Sequence, residues 1–320
     1  VFMLKKISEI GIVPVIKIND AEKAVPLAKA LIDGGLPIAE ITFRTDAAEE
    51  SIRRVSEAFP EMLVGAGTVL TVEQAKRAKD AGAKFIVSPG FNPKVVSWCL
   101  ENGITPTPGC TSPSEIEAAL ELGLKAVKFF PAEQSGGIAK IKALSAPYSG
   151  LKFIPTGGIS LDNLTSYITN KKILACGGSF MVKEDYINNS EWDKITELTR
   201  KSVNVMLGLE IGHIGINAES DPEAESIAKS FSLLFGNAER VTSKSIFAGD
   251  AIEVMKPSCG RGKNGHIAIL TNSVDRACYH LGKQGFSFDT ESAKYADDGS
   301  LKFIYLKDEI GGFGVHLIER

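Results

Sequence analysis

The stretch KAVKFFPAE, residues 125–133, places a lysine inside a short apolar run that is typical of a β-strand. Side chains alternate between the two faces of a strand, so Lys128 and Phe130 share one face while Val127 and Phe129 share the other. The face with Val127 and Phe129 is suited to packing under a helix. We therefore expect Lys128 to point to the opposite side, where a lysine is seldom buried without a partner or a task.

Seven similar apolar runs accompany this strand within residues 1–207. Helix-like amphipathic stretches separate the runs and end close to a glycine or a proline. Alternation of strands and helices indicates crossover units and a parallel sheet. Eight such units in about 200 residues predict an α/β fold of the closed (β/α)8 TIM barrel type. The eight runs are residues 12–18, 37–43, 63–68, 84–89, 103–108, 126–131, 152–158 and 173–179.

Residues 208–320 have a different character and contain all four histidines of the chain. GHIGINA (212–218) and GHIAILT (265–271) are each followed by a helical pattern and then by short strand-like runs. This internal repeat predicts two copies of a βαβββ module that pack together to bury one core. We therefore expect two domains, a barrel over residues 1–207 and a smaller α+β domain of paired modules over residues 208–320.

Composition limits the classes of partner. The 320 residues are 44% hydrophobic and 23% charged, with a formal net charge of −3. A nucleic-acid surface usually needs a surplus of basic residues, and no apolar run is long enough to span a membrane, so we expect neither partner. Five scattered cysteines without a CxxC pair, together with an N-terminus that lacks a secretory pattern, indicate reduced thiols and a cytoplasmic location.

Charged residues also lie on the inner face of the second predicted strand. In PIAEITFR (37–44), Glu40 and Arg44 share a face with Thr42. A carboxylate, a guanidinium and the Lys128 amine inside one barrel are costly unless they are paired or used. A buried ion-pair network is one interpretation. Charges near the C-terminal ends of barrel strands favour the other interpretation, a catalytic centre.

A poorly hydrated lysine amine is neutral for part of the time and can attack a ketone carbon to form a Schiff base. The resulting iminium withdraws electrons and supports cleavage of a carbon–carbon bond. Residues 1–207 contain no histidine, so Glu40 is the candidate for moving the protons. Arg44 offers a two-pronged contact for a substrate carboxylate. These residues predict a lyase that works through a covalent imine at Lys128.

Glycine-rich segments end the last two predicted strands of the barrel. Loops after these strands are the frequent phosphate site of this fold, and glycines let the backbone approach a ligand closely. Each glycine alone is also compatible with a simple tight turn. Both loops together predict a phosphate site formed by Gly157, Gly158, Gly178 and Ser179. Thr156, which directly precedes the first of these glycines, is expected to bind substrate as well.

Six motifs in residues 3–207 resemble those of the class I 2-keto-3-deoxy-6-phosphogluconate (KDPG) and 4-hydroxy-2-oxoglutarate (KHG) aldolases. They are EITFRT (40–45), GAGTV (65–69), SPG (88–90), KFFPAE (128–133), PTGGIS (155–160) and GGS (177–179). The resemblance implies cleavage of KDPG to pyruvate and glyceraldehyde 3-phosphate in Entner–Doudoroff carbohydrate metabolism, or of KHG to pyruvate and glyoxylate. It further implies a lysine Schiff base without a metal or other cofactor, and a homotrimer.

The resemblance also implies roles for individual residues. Lys128 would be the Schiff-base lysine and Glu40 the general acid and base. Arg44 and Thr68 would hold the pyruvyl carboxylate. The other implied contacts are Pro89 and Phe130, which line the pocket, and Gly157, Gly158 and Ser179, which hold the phosphate. A variable loop, GCTSPSE (109–115), leaves the preferred keto acid open.

Two other functions fit part of the pattern. A phosphosugar isomerase or epimerase can use the same barrel, but it would not need an inward lysine beside an arginine. A regulator that binds a sugar acid can retain an inactive barrel, but it is expected to lose Lys128 or Glu40, and both are present. The aldolase interpretation is favoured over both.

Residues 208–320 resemble the vicinal oxygen chelate domains of the glyoxalase and bleomycin-resistance superfamily, through GHIAILTNSVDRACYHLGKQGF (265–286). The resemblance implies a cupped sheet that binds Zn²⁺, Mn²⁺, Ni²⁺ or Fe²⁺ through imidazoles and carboxylates. A metal-free role as a ligand sensor, a lid or an oligomer contact stays open. His280 and His316 are expected to be surface or packing residues. The implied metal ligands are His213, Glu253, His266 and Glu319.

Overall fold

The computed structural model describes residues 2–320, which divide into two compact units with the boundary between Met206 and Leu207. The first unit is an α/β structure with parallel strands. The second unit is built around one large sheet. No helix in residues 2–320 combines the length and the apolar character that crossing a bilayer requires.

The first unit begins with helix α1 (Phe2–Ile10) and then alternates strands with helices. Its strands are β1 (Ile12–Ile16), β2 (Ile38–Thr42), β3 (Leu63–Gly67), β4 (Phe85–Val87), β5 (Thr105–Thr107), β6 (Ala126–Phe129), β7 (Lys152–Pro155) and β8 (Cys176–Gly178). The remaining helices are α2 (Ala24–Asp33), α3 (Ala48–Ala58), α4 (Val72–Asp80), α5 (Pro93–Glu101), α6 (Pro113–Glu121), α7 (Gly137–Ser145), α8 (Leu164–Ile168), α9 (Glu184–Asn188) and α10 (Trp192–Leu207).

The strands of the first unit form a curled parallel sheet. Six of them pair in the order β5-β4-β3-β2-β1-β8, and β6 pairs with β7. Single parallel bridges connect the two groups, because Gly109 pairs with Lys128 beside β5 and Thr156 pairs with Gly177 of β8. The curl carries the inner side chains of β2 and β6 toward each other.

Local signals at the start of several helices explain where each strand-to-helix loop ends. Thr71, Asn92 and Ser112 are N-cap residues whose side chains accept hydrogen bonds from backbone N–H groups of the first helical turn. Ser112 and Glu115 form a reciprocal capping box at the start of α6. The variable loop GCTSPSE (109–115), which follows β5, is therefore fixed at its C-terminal end by this capping box.

The second unit contains an eight-stranded sheet. Its elements are β9 (Glu210–Asn217), α11 (Asp221–Phe235), β10 (Glu239–Val241), β11 (Ser245–Ala248), β12 (Ile252–Met255), β13 (His266–Thr271), α12 (Val274–Lys283), β14 (Phe288–Tyr295), β15 (Leu301–Leu306) and β16 (Gly314–Glu319). The strand order is β10-β11-β12-β9-β13-β16-β15-β14, with β9 and β13 antiparallel at the centre. Each half of the unit runs strand, helix and three strands.

Candidate active site

The inner face of the curled sheet brings Lys128 of β6 and Glu40 of β2 together. The Nζ atom of Lys128 donates a hydrogen bond to Oε1 of Glu40 at 3.2 Å. The two side chains are 7% and 4% exposed. Removing an ammonium and a carboxylate from water is expensive, and breaking such a pair leaves one charge uncompensated. The geometry therefore holds an amine and a proton acceptor in direct contact where little water reaches them.

A glycine makes room for the carboxylate of this pair. A Cβ atom added to Gly67, at the end of β3, would lie 2.2 Å from Oε1 of Glu40. The next residue, Thr68, has a φ of 56°, in the left-handed region that β-branched residues rarely adopt. Backbone strain of this kind persists where the surrounding structure enforces it, and it is concentrated at functional sites. The backbone of residues 65–68 thus passes so close to the Glu40 carboxylate that a side chain at position 67 would collide with it.

A small internal cavity adjoins the Lys128–Glu40 pair, and Thr156 lines it. The hydroxyl of Thr156 is buried and has no hydrogen-bond partner. A buried hydroxyl without a partner loses its contacts with water and gains none from the protein. The Thr156 hydroxyl is therefore an unsatisfied polar group on the same small cavity as the Lys128–Glu40 pair.

A cavity of about 430 Å³ opens from Thr156 toward the glycine-rich loops. It brings together seven of the substrate-binding residues that the sequence predicts: Arg44, Phe130, Thr156, Gly157, Gly158, Gly178 and Ser179. Thr68 contacts this group through Arg44, whose Nε donates to Oγ1 of Thr68 at 3.2 Å. Pro89 does not line either cavity; its carbonyl packs closely against Gly109, which pairs with Lys128.

The cavity also has a charged rim that the sequence analysis did not identify. Lys17, Lys183 and Glu184 line it. Nζ of Lys17 and Nδ2 of Asn19 both donate to Oε1 of Glu184, at 2.8 and 2.9 Å. The hydrogen bond from Lys17, followed by that from Asn19, lowers the pKa of Glu184 below its usual value. The rim therefore offers two lysines, one of which is held in place by a carboxylate.

A second carboxylate supports the loop after β7. Glu133 accepts a hydrogen bond from the Tyr167 hydroxyl, and its backbone N–H donates to the carbonyl of Gly157 at 3.1 Å. A Cβ atom on Gly158 would lie 2.5 Å from the Glu133 side chain. Burial, and then the contact with Glu133, raise the pKa of Tyr167. The phenol stays protonated and holds Glu133 against the glycine-rich loop.

Comparison of the sequence with protein-family models shows which family the first unit resembles. The family model described as KDPG and KHG aldolase matches residues 3–198, which is more than half of the 320 residues. The chain belongs to the KDPG and KHG aldolase family. This aldolase is 47% identical over 204 residues to the 2-dehydro-3-deoxy-phosphogluconate aldolase of Treponema pallidum, covering 64% of this chain and 97% of that protein. It is 42% identical over 192 residues to the KHG/KDPG aldolase of Escherichia coli, covering 60% of this chain and 90% of that protein.

Solved structures give the same family. The KDPG aldolase of Legionella pneumophila, in which pyruvate is captured as a covalent carbinolamine, aligns with a TM-score of 0.60 and 38% identity, over 62% of this chain and 96% of that one. The Zymomonas mobilis enzyme with 3-phosphoglycerate aligns with a TM-score of 0.58 and 34% identity, over 62% of this chain and 94% of that one. The family match ends at residue 198, so the second unit of this aldolase lies beyond it.

The second unit contains a cluster of three potential metal ligands. Nε2 of His213, Nε2 of His266 and Oε2 of Glu253 each lie 3.1 Å from the other two. Hydrogen bonds cannot satisfy all three contacts, because two imidazole N–H groups that both donate to the carboxylate then face each other. Ligand atoms about 2.1 Å from one ion are separated by roughly 3.0–3.4 Å. The spacing and the donor types therefore fit a divalent cation.

The protonation states around the cluster also suit a cation. Burial opposes ionisation of Glu253, but hydrogen bonds from His213, His266 and Ser245 outweigh it and hold the pKa of Glu253 well below its usual range. Burial, and then the neighbouring imidazoles, lower the pKa of His316 to about 3. Nδ1 of His316 is buried without a hydrogen-bond partner. The ionised carboxylate is the form in which Glu253 can bind a metal.

Glu319 does not join this cluster, which corrects the expectation from the sequence. In the register of β13 with β16, His266 pairs with Gly314 and Ala268 pairs with His316. Even-numbered residues of β16 therefore share the face of His266, and Glu319 points to the other face. There its carboxylate accepts a hydrogen bond from Lys302.

His316 takes the place next to the cluster. Its ring centroid lies 5.3 Å from that of His266 and 5.5 Å from that of His213. The sequence predicts a surface or packing role for His316, and the structure buries it beside the ligands. His280 is buried on α12, with its ring 5.1 Å from that of Tyr279.

Proposed function

We propose that the first unit cleaves KDPG to pyruvate and glyceraldehyde 3-phosphate through a Schiff base at Lys128. The same steps convert KHG to pyruvate and glyoxylate. The observation that carries the proposal is the buried contact of 3.2 Å between Lys128 Nζ and Glu40 Oε1. Reduction of the imine with borohydride, which attaches pyruvate to Lys128, tests it directly.

The neutral Lys128 amine attacks the C2 carbonyl carbon of the substrate and forms a carbinolamine. Glu40 moves protons so that water leaves and an iminium forms. Glu40 then accepts the proton of the C4 hydroxyl, the C3–C4 bond breaks, and its electrons enter the iminium to give an enamine. The aldehyde departs. Protonation of the enamine at C3 and addition of water release pyruvate and restore the Lys128 amine.

The remaining residues of the site bind the two anionic ends of the substrate. Arg44, which also contacts Thr68, offers terminal nitrogens to the C1 carboxylate. The ring of Phe130, 5.3 Å from Lys128 Nζ, forms a wall near the reacting carbon. The carbonyl of Pro89 packs against Gly109, so Pro89 supports the segment that pairs with Lys128. Thr156 contacts a substrate oxygen. The phosphate is bound by the backbone of Gly157, Gly158 and Gly178, by Ser179, and by Lys17 and Lys183.

We also infer that the eight strands of the first unit close a (β/α)8 barrel, as the sequence predicts. The single bridges on both sides of the β6–β7 pair support this closure. We assign the aldolase domain to residues 1–207 and a glyoxalase-like domain of two βαβββ modules to residues 208–320. Family membership supports a homotrimer, and the five free thiols support a cytoplasmic location.

Replacement of Lys17 tests the phosphate end. The Lys17→Met variant is expected to raise KM for KDPG about tenfold, because a hydrogen bond to a charged group contributes roughly 1.5–3 kcal/mol. KM for KHG, which has no phosphate, should change much less. Steady-state kinetics with both substrates measure the difference. Lys23→Met is the matched control, since the Lys23 side chain donates to the Asn188 carbonyl and does not line the cavity. An equal rise of both KM values would place Lys17 outside the phosphate site.

We further propose that the second unit binds one divalent metal ion through His213, His266 and Glu253. The convergence of the three donor atoms at 3.1 Å supports this set. A metal bound there would act as a Lewis acid toward an oxygen ligand. Glu253 supplies the negative charge, and His316 provides a neutral imidazole beside the ligands.

Removal of one ligand tests the metal centre. The His266→Ala variant is expected to lose at least about 90% of bound metal after dialysis, because loss of one of three protein ligands removes most of the affinity. Elemental analysis of protein saturated with Mn²⁺ or Zn²⁺ gives the stoichiometry. The Glu319→Gln variant is the matched control and should keep one ion per chain. Loss of metal in Glu319→Gln, with retention in His266→Ala, would contradict the proposed ligand set.

A further inference from the structure

The metal-binding cluster lies on the face of the second sheet that α11 leaves uncovered. Ala224 and Ala228 of α11 pack against Ile246, Ile252 and Val254 in one buried core. Side chains alternate along each strand, so the residues between these apolar positions point the other way. The uncovered face thus carries Phe247 of β11 and Glu253 of β12, next to the histidines of the cluster.

Three aromatic rings line this face around the cluster. The ring of Phe247 lies 5.8 Å from that of His213. On the other side, the rings of Phe303 and Tyr305 lie 4.6 and 4.9 Å from that of His316. The pairing of Tyr305 with His316 and of Phe303 with Ile318 sets this register. The proposed metal centre therefore sits in a trough with aromatic walls.

Each of the three rings holds a cation. The Arg240 guanidinium lies 4.0 Å from the centroid of Phe247, and the Arg261 guanidinium lies 4.4 Å from that of Tyr305. Nζ of Lys294 lies 4.6 Å from the centroid of Phe303. All three cations are exposed, so a ligand from solvent can reach them. Aromatic contacts orient these long side chains and lower the entropy lost when they bind an anion.

The charge of the trough favours an anionic ligand. Arg261 is paired with Asp289 at 2.7 Å, and Glu253 belongs to the metal-binding cluster. Arg240 and Lys294 have no carboxylate partner among the ion pairs of residues 2–320. A divalent ion adds further positive charge at the centre. A ligand with two acidic groups would balance this surplus, with one group at the ion and the other at the cations.

We propose that this trough binds a 2-oxo acid that carries a second acidic group, which is also the chemical class of the aldolase substrates. The inference rests on the metal centre proposed above. Three protein donors leave neighbouring coordination positions open, and a carboxylate with an adjacent oxo oxygen fills two of them. The second acidic group is bound by Arg261 and Lys294, whose supporting rings, Tyr305 and Phe303, lie 5.4 Å apart on the same wall of the trough. The chain thus carries a second site for compounds of the class that its first unit cleaves.

The test uses the full-length chain with the Lys128→Met substitution, which removes imine formation at the first site. The protein is loaded with Mn²⁺, and 2-oxoglutarate is the probe. Displacement of water from Mn²⁺ is followed by proton relaxation, and affinity is measured by calorimetry. We expect saturation at one 2-oxoglutarate per chain. Pyruvate, which lacks the second acidic group, should bind at least about tenfold more weakly, because it forgoes a charge-assisted contact.

Variants of the cations separate this site from non-specific binding. Arg261→Gln and Lys294→Gln are each expected to weaken 2-oxoglutarate binding by about tenfold while leaving the Mn²⁺ stoichiometry unchanged. Lys229→Gln, which removes an exposed cation from α11, is the control and should bind as before.

The outcomes distinguish the two proposals. Absence of Mn²⁺ binding would overturn the metal centre and this inference with it. Mn²⁺ binding without any response to 2-oxoglutarate would overturn only the ligand class. Equal affinities of the Arg261→Gln, Lys294→Gln and Lys229→Gln variants would show that the trough is not the anion site.

Discussion

The Lys128→Met variant is expected to lose aldolase activity by on the order of 10⁵-fold or more, the scale of loss when an enzyme loses its nucleophile. A thioether cannot form an imine. Methionine is close to lysine in length and is apolar, so it suits a position that is 7% exposed, and the Glu40 carboxyl, which loses its partner, can take up a proton instead of remaining charged. The fold should therefore survive, and the defect should lie in kcat. A coupled assay for pyruvate, with KDPG as substrate, measures it.

Lys125→Met is the matched control for this variant. Lys125 is an exposed residue immediately before β6, so the same chemical change occurs one residue outside the same strand. Its activity should be unchanged. A comparable loss in both variants would indicate that the fold, rather than the amine, is affected.

Chemical trapping identifies the amine itself. Borohydride added with pyruvate should reduce the imine and attach a pyruvate-derived mass to the peptide that contains Lys128. The Lys128→Met protein should gain no such mass. A modified peptide elsewhere in the first unit, with Lys128 untouched, would remove the proposed mechanism.

The alternation of side chains made the centre of the first unit predictable. A strand covered by helices has one apolar face, so Lys128 and Glu40 had to point inward, and the structure places them in contact. The same rule, applied to β1, would also have identified Lys17, since Val13, Val15 and Lys17 share one face. Lys183 is the N-cap residue of the short helix α9, and Glu184 is the first residue of that helix. Both follow an irregular loop, and no periodicity in the sequence predicts the path of such a loop.

Glu319 shows a different limit of sequence analysis. The run GVHLIER (314–320) correctly predicted a strand, β16. This strand contains both His316 and Glu319, and their side chains point to opposite faces of the sheet. Which face meets the cluster depends on the register between β13 and β16, and a shift of one residue reverses every side chain. Burial also favours histidine there, because a neutral imidazole costs less to bury than an unpaired carboxylate.

The Glu40→Gln variant is expected to lower kcat by about 10²–10⁴-fold, the usual contribution of a general acid and base. The amide has nearly the shape of the carboxylate, and its oxygen can still accept the hydrogen bond from Lys128. It cannot accept the C4 proton or deliver one to the departing water. Loss of turnover with a retained site is the expected signature.

Two measurements on this variant separate proton transfer from binding. Turnover of KDPG gives kcat, and calorimetry gives the affinity for pyruvate, which should change far less than kcat. The Glu50→Gln control removes a half-buried carboxylate of α3 that is paired with Arg54 at 2.8 Å, and both quantities should stay at the unsubstituted level. If Glu40→Gln reduced pyruvate affinity as much as turnover, Glu40 would be a binding residue, and another group would have to carry the protons between the C4 hydroxyl and the carbinolamine.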